Sequence, residues 1–148
     1  MTDCFLSPHQ IALLTAVQDE LIPDEDGMPS AGSIGGARTV EAFLREQAEL
    51  YEPIVVALDA IETAAENLQF QHRSSEERAN ILKRAEIAAP EAFAELVRQT
   101  YNAYYTQPEI QTKLGVDRAP QPDGFELVSF NPSHLARVRA MGKLWRDA

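Results

Sequence analysis

The acidic stretch from Asp24 to Gly27 is the first place in the sequence where metal chemistry could occur. It puts three carboxylates beside a glycine, a composition found in loops that bind Ca²⁺. A twelve-residue calcium loop also needs a glutamate at its last position, which binds the ion through both oxygen atoms. Counted from Asp24, that position is Gly35, which offers no carboxylate. We therefore expect a solvated acidic loop ahead of a helix, and no metal site.

Two other groups of residues could do chemistry, and neither has the required pattern. The glycine-rich residues 32–36 lack the Gly-Lys-Ser/Thr ending of a phosphate-binding loop, and no strand is predicted before them. The histidines His9, His72 and His134 are far apart, and no Cys/His cluster has zinc spacing. Cys4 is the only cysteine, and a structural role is favoured for it over that of a nucleophile. We expect no catalytic, cofactor-binding or metal-binding residues on this chain.

Three tyrosines within one helical turn suggest binding rather than catalysis. Tyr101 and Tyr104 continue the apolar spacing of a predicted helix, so core packing accounts for them. Tyr105 points to a different side of that helix. We expect Tyr105 to contact either a partner protein or the C-terminal part of this chain.

Helical periodicity predicts the elements that position these residues. Ser7 and Gln10 have the spacing of a capping box, and apolar residues at helical intervals follow until Pro23. A long irregular loop comes next, and a second capping box begins at Ser74. The predicted core stripe of the third helix consists of Ile54, Leu58, Ile61, Ala65 and Leu68. The sequence predicts an all-α fold, a bundle of about five or six helices in residues 1–115.

The character of the chain changes at Val116. Residues 116–148 begin with a proline-containing stretch of little periodicity and end in a predicted short helix, so we expect an extended arm within the same domain. This arm has more apolar side chains than a solvated tail needs. We expect Phe125, Leu127, Phe130 and Trp145 to bind a partner protein. The alternative is that the arm folds back over its own bundle.

Charge and hydropathy restrict the partners. The net charge is −10, from 23 acidic and 13 basic residues, which disfavours nucleic acids and anionic lipid surfaces. No stretch reaches the roughly 18 consecutive apolar residues of a membrane-spanning helix, so no direct membrane insertion is expected. The first ten residues show neither a basic, apolar export signal nor a twin-arginine pair. As written, the sequence indicates the cytoplasm; a removed signal or a signal on the partner would indicate the periplasm.

Four segments of the chain follow one another in a familiar order. They are Leu6-Ser7-Pro8 with its helix and acidic loop, the helix around Val40–Leu44, the stretch Tyr104–Gly115, and the arm from Pro120 to Trp145-Arg146. In this order they resemble the small-subunit family of membrane-bound gluconate 2-dehydrogenase, often called subunit 3. Members of that family usually begin with a twin-arginine export signal, from which this sequence departs.

The resemblance implies a non-catalytic partner of a glucose–methanol–choline type flavoprotein. In that family the large subunit holds FAD and oxidises a sugar, polyol or sugar acid, often passing electrons to a cytochrome c subunit. The small subunit is implied to support assembly, stability and export, with no cofactor of its own. From other classes of protein, a stand-alone helical adaptor and a small enzyme with a site in the bundle remain as alternatives.

Overall fold

The computed structural model describes residues 6–66, 68–116 and 131–142. Six helices follow one another in the first two of these ranges: α1 (Pro8–Leu21), α2 (Gly36–Glu46), α3 (Tyr51–Ala64), α4 (Ser75–Ala88), α5 (Pro90–Tyr105) and α6 (Pro108–Lys113). A further helix, α7 (His134–Ala140), lies in the third, and short 3-10 turns occupy Ala48–Leu50 and Phe70–His72. These described residues contain no strand, which confirms the all-α prediction.

The prediction of an extended arm concerns residues outside the described ranges. Residues 117–130 and 143–148 carry most of it, and with them Phe125, Leu127, Phe130 and Trp145. Their predicted roles, and the predicted division of the chain at residue 116, stay predictions.

Local side-chain chemistry explains where two of the helices begin. At the start of α1, the Ser7 hydroxyl accepts a hydrogen bond from the Gln10 backbone N–H, and the Ser7 N–H donates to Gln10 Oε1 at 2.8 Å. Ser74 and Glu77 repeat this arrangement at the start of α4. The donors of Ser74, with Arg73 nearby, hold the pKa of Glu77 below its ordinary value. Both capping boxes were predicted from the sequence and are confirmed.

The core lies around α3 and α5, with α1, α2 and α4 packed against them. Ile54, Leu58 and Ile61 of α3 are buried, as are Phe93 and Leu96 of α5. Burying an apolar side chain of this size contributes about 1.5–3 kcal/mol relative to exposure, so these residues supply much of the driving force for folding.

One part of the predicted α3 stripe is wrong. The helix ends at Ala64, and Glu66 takes a left-handed conformation with φ of 57° that turns the chain away from the helix axis. Ala65 is still buried, but Leu68 is 52% exposed. Leu68 continues the helical spacing in the sequence without continuing the helix.

Within the described ranges, each helix is too short or too polar to cross a lipid bilayer.

Candidate partner-binding surface

The loop between α1 and α2 is ordered around a tight turn. The Met28 N–H donates to the Glu25 carbonyl at 2.8 Å, and the Glu25 N–H donates back to the Met28 carbonyl at 3.1 Å. Between them, Asp26 and Gly27 have φ of 52° and 80°. Positive φ at both central residues is the geometry of a two-residue type I′ turn, for which Asp-Gly is a preferred sequence. The backbone therefore explains Asp26 and Gly27 without a bound metal ion.

Asp24, Glu25 and Asp26 are all exposed, as expected for a solvated acidic loop. Across the part of the chain that the structure describes, no three His, Cys, Asp or Glu residues come together in a way that could hold a metal ion.

The glycine-rich stretch that follows packs directly against α1. The Gly32 N–H donates to Asp19 Oδ1 at 2.9 Å. A Cβ atom on Gly32 would lie 2.4 Å from the Thr15 carbonyl oxygen, and one on Gly36 would lie 2.6 Å from the Ala31 carbonyl oxygen. Both distances are too short for any side chain, so these glycines are needed for close backbone approach. Sequence reasoning considered only a phosphate site here and missed this packing role.

Two long-range hydrogen bonds attach the loop to the C-terminal part of the bundle. The Tyr104 hydroxyl donates to the Pro29 carbonyl at 2.9 Å, and Lys113 Nζ donates to the Gly27 carbonyl at 3.0 Å. Beneath these bonds, Ala31, Tyr104 and Ile110 form a small apolar cluster of buried side chains. The loop is therefore held in place by α5 and α6 as well as by α1.

Burial raises the pKa of the Tyr104 hydroxyl, and the nearby groups of Tyr105, Asp24 and Glu109 raise it further. The hydroxyl therefore keeps its proton, and with it the hydrogen bond to Pro29, through the neutral pH range.

Between the loop and the C-terminal end of α5 lies an open groove of about 390 Å³, which we name the tyrosine groove. Tyr101 and Tyr105 stack beside it with ring centroids 6.1 Å apart and planes 9° from parallel. Tyr104 meets the Tyr105 ring edge-on at 5.2 Å. The groove is lined by Leu21, Ile22, Pro23, Glu25, Asp26, Met28, Tyr101, Tyr104, Tyr105 and Leu114.

The two stacked rings lie at the surface. Tyr105 is 48% exposed, which agrees with its predicted outward direction, whereas its contact with a partner stays a prediction. The prediction that Tyr101 packs in the core is wrong, because it is 42% exposed. The loop covers Tyr104 and leaves Tyr101, one turn earlier on α5, uncovered. Helical spacing alone could not show how far along α5 the loop reaches.

The apolar surface continues beyond the rings. Leu114, which lines the groove, is exposed, and so is Val116 two residues later, where this described range ends. Glu25 and Asp26 give one side of the groove a negative rim. Aromatic rings with hydroxyl groups, set in an apolar depression with a polar rim, are typical of the central part of a protein–protein interface.

A comparison with protein families finds one family model that matches most of the chain. The family model for gluconate 2-dehydrogenase subunit 3 matches residues 8–120, which include α1 to α6, the loop and the tyrosine groove. No curated protein and no solved structure matches the chain significantly. The family match extends over well more than half of the chain. The protein therefore belongs to the gluconate 2-dehydrogenase subunit 3 family.

Proposed function

We propose that this chain is the non-catalytic small subunit of an FAD-dependent dehydrogenase that oxidises a sugar, polyol or sugar acid. In this proposal it supports the assembly and stability of the catalytic flavoprotein. FAD and the substrate site belong to the large subunit, and a cytochrome c subunit is the candidate electron acceptor. Family membership supports a place in a dehydrogenase complex.

The observation that carries the binding role is the exposure of the stacked pair Tyr101 and Tyr105 beside the tyrosine groove. When a partner covers large aromatic side chains that are exposed to water, the complex is stabilised by about 25 cal/mol per Å² of apolar surface removed from water. A partner subunit that inserts an apolar side chain into the groove would bury both rings.

The groove is also formed before any partner arrives. The loop on one side is fixed by the hydrogen bonds from Tyr104 to Pro29 and from Lys113 to Gly27. The rings on the other side restrain each other by stacking. Because few groups need to be ordered on binding, less of the contact energy is lost to conformational entropy.

The test begins with copurification of the tagged chain from its source, followed by mass spectrometry and the flavin absorption spectrum of the complex. We expect a large subunit that carries FAD, and lower yield or FAD content of that subunit when it is produced without this chain. Equal yield, FAD content and activity without this chain would remove the assembly role. Turnover of a substrate by the isolated chain would remove the non-catalytic assignment.

Substitution of the groove then tests the binding surface with the same purified large subunit. We expect Tyr105→Ala to raise the dissociation constant by at least about tenfold, as for an aromatic residue at the centre of an interface. Ile87→Ala is the matched control, because Ile87 is an exposed apolar residue that does not line the groove. Equal affinities of the Tyr105→Ala and Ile87→Ala variants would place the interface elsewhere.

A further inference from the structure

A second groove lies at the other end of α5, where the start of α3 meets the corner between α4 and α5. It has a volume of about 700 Å³ and an apolar floor that includes Pro53, Val56 and Ala92. Of the residues that the structure describes, four glutamates line it and no lysine or arginine does: Glu49, Glu52, Glu91 and Glu95. We call this the acid-rimmed groove.

One of the four carboxylates has an ion pair within the described residues, and the other three have none. Glu95 pairs with Arg98 at 2.6 Å, and its other oxygen accepts from Gln99. Glu49, Glu52 and Glu91 form no ion pair within residues 6–66, 68–116 and 131–142. The groove therefore has unbalanced negative charge around its apolar floor.

Helix electrostatics explain part of this arrangement. Glu52 and Glu91 lie in the first turns of α3 and α5, where a negative charge stabilises the helix. The same effect does not explain the floor, where Val56 is 43% exposed on the solvent-facing side of α3, with the exposed residues Glu52 and Asp59 one turn before and after it. An apolar floor that remains in water inside a ring of carboxylates favours an occupant with both apolar and positively charged groups.

We propose that the acid-rimmed groove binds a basic segment of a partner protein, in which Lys or Arg side chains flank one apolar side chain. The apolar side chain covers Val56 and Pro53, and the cations pair with Glu49, Glu52 and Glu91. A bare divalent ion would make no use of the floor, and the described carboxylates do not converge as metal ligands. This surface is separate from the tyrosine groove, so the proposal does not depend on the proposed dehydrogenase partner.

The test measures binding of fluorescent peptides to the purified chain by anisotropy. One set of peptides carries Lys and Arg around a single Leu or Phe, and a second set has Glu in place of each cation. We expect the basic set alone to bind, and its binding to weaken as added salt shortens the range of the attraction. Equal binding of both sets, or binding that salt does not change, would overturn the proposal.

Paired variants locate the binding site. Glu52→Gln with Glu91→Gln should weaken binding of the basic peptide by about fivefold or more, since each partly screened charge contact contributes modestly. The control is Glu76→Gln with Glu86→Gln, which makes the same change of charge at exposed residues outside the groove. Equal weakening by both pairs would show general attraction to an acidic protein and would overturn the site.

The floor has its own pair of variants. Val56→Asn should weaken binding of the basic peptide by about threefold or more, because the apolar contact is lost. Leu68→Asn, at an exposed apolar residue beyond the far end of α3, should leave binding unchanged. Thermal unfolding of both variants checks that the bundle is intact. Equal binding by Val56→Asn and the unsubstituted chain would overturn the role of the floor.

A peptide of residues 131–148 is the last probe, because that segment of the chain is itself basic and contains apolar residues. Tighter binding of this peptide than of the basic set, lost in the Glu52→Gln and Glu91→Gln variant, would make the chain's own terminal segment the occupant and would overturn the assignment to a partner. Weaker binding than the basic set supports the partner.

Discussion

The two ends of α5 form surfaces in different ways. At its C-terminal end, the tyrosine groove depends on a loop that is distant in sequence, with Pro29 and Tyr104 joined across 75 residues. At its N-terminal end, the acid-rimmed groove is made by the starts of two helices and by a tight corner between α4 and α5. The helix has 16 residues, so the two ends are about 22 Å apart. The aromatic surface should therefore be sensitive to changes in the loop, and the acidic surface should not.

A change at the middle of α5 should remove this difference between its ends. Leu96 is fully buried between them, so Leu96→Ala leaves a cavity in the core that both surfaces share. We expect the free energy of unfolding to fall by about 3 kcal/mol, measured by urea denaturation. Binding at both grooves should weaken together near the unfolding midpoint. Loss of binding at one groove alone would mean that the two ends of α5 fold independently.

A change in the loop should separate the two ends. In Gly32→Ala, the new Cβ would clash with the Thr15 carbonyl oxygen and with the Asp19 carboxylate. We expect a loss of about 2 kcal/mol in the free energy of unfolding, because the loop must move away from α1. The tyrosine signal in near-ultraviolet circular dichroism should decrease, while peptide binding at the acid-rimmed groove is unchanged.

Gly115→Ala is the control for Gly32→Ala. Gly115 has a φ of 73° and open space around its Cβ position, so only the backbone preference is affected. We expect the free energy of unfolding to fall by about 1 kcal/mol, and the tyrosine signal to stay unchanged. If both variants changed the signal equally, steric contact between the loop and α1 would not be what positions the loop.

The same difference explains what the sequence could predict. Helix starts follow from local chemistry, so the capping boxes at Ser7 and Ser74 could be recognised from a few neighbouring residues. The exposure of Tyr101 and Leu68 depends on where a distant loop stops and where a helix ends. The spacing of apolar residues carries no information on where the loop stops or where the helix ends. It therefore predicted, wrongly, that Tyr101 and Leu68 lie in the core. The tyrosine groove was thus predicted only as far as Tyr105.

The hydrogen bond from Tyr104 to Pro29 should contribute less to the free energy of unfolding than the close packing of Gly32 against α1. Tyr104→Phe removes the hydroxyl and leaves the ring, so we expect a loss of about 1 kcal/mol in the free energy of unfolding at neutral pH. Binding at the acid-rimmed groove should not change. A loss as large as that of Leu96→Ala would mean that the ring itself is displaced.

The pH dependence gives an independent check on Tyr104. Because its pKa in the folded chain is raised above the ordinary value of 10.0, the folded state holds the proton more tightly than the unfolded state. The stabilisation is complete below pH 10 and is lost as the pH rises from there through the folded pKa. The Phe variant cannot lose a proton at this position. The stability difference between the two proteins should therefore shrink above pH 10.

The smallest effect is expected from Lys113→Met, which removes the hydrogen bond to the Gly27 carbonyl at the exposed edge of the loop. A partly exposed contact of this kind contributes about 0.5 kcal/mol or less. Hydrogen exchange at the Met28 amide, which donates to Glu25 across the turn, measures the consequence directly. If Asp26 and Gly27 hold the turn by themselves, the amide stays protected in the variant. Fast exchange would instead show that the turn needs its contact with α6, and that the loop side of the tyrosine groove depends on that helix.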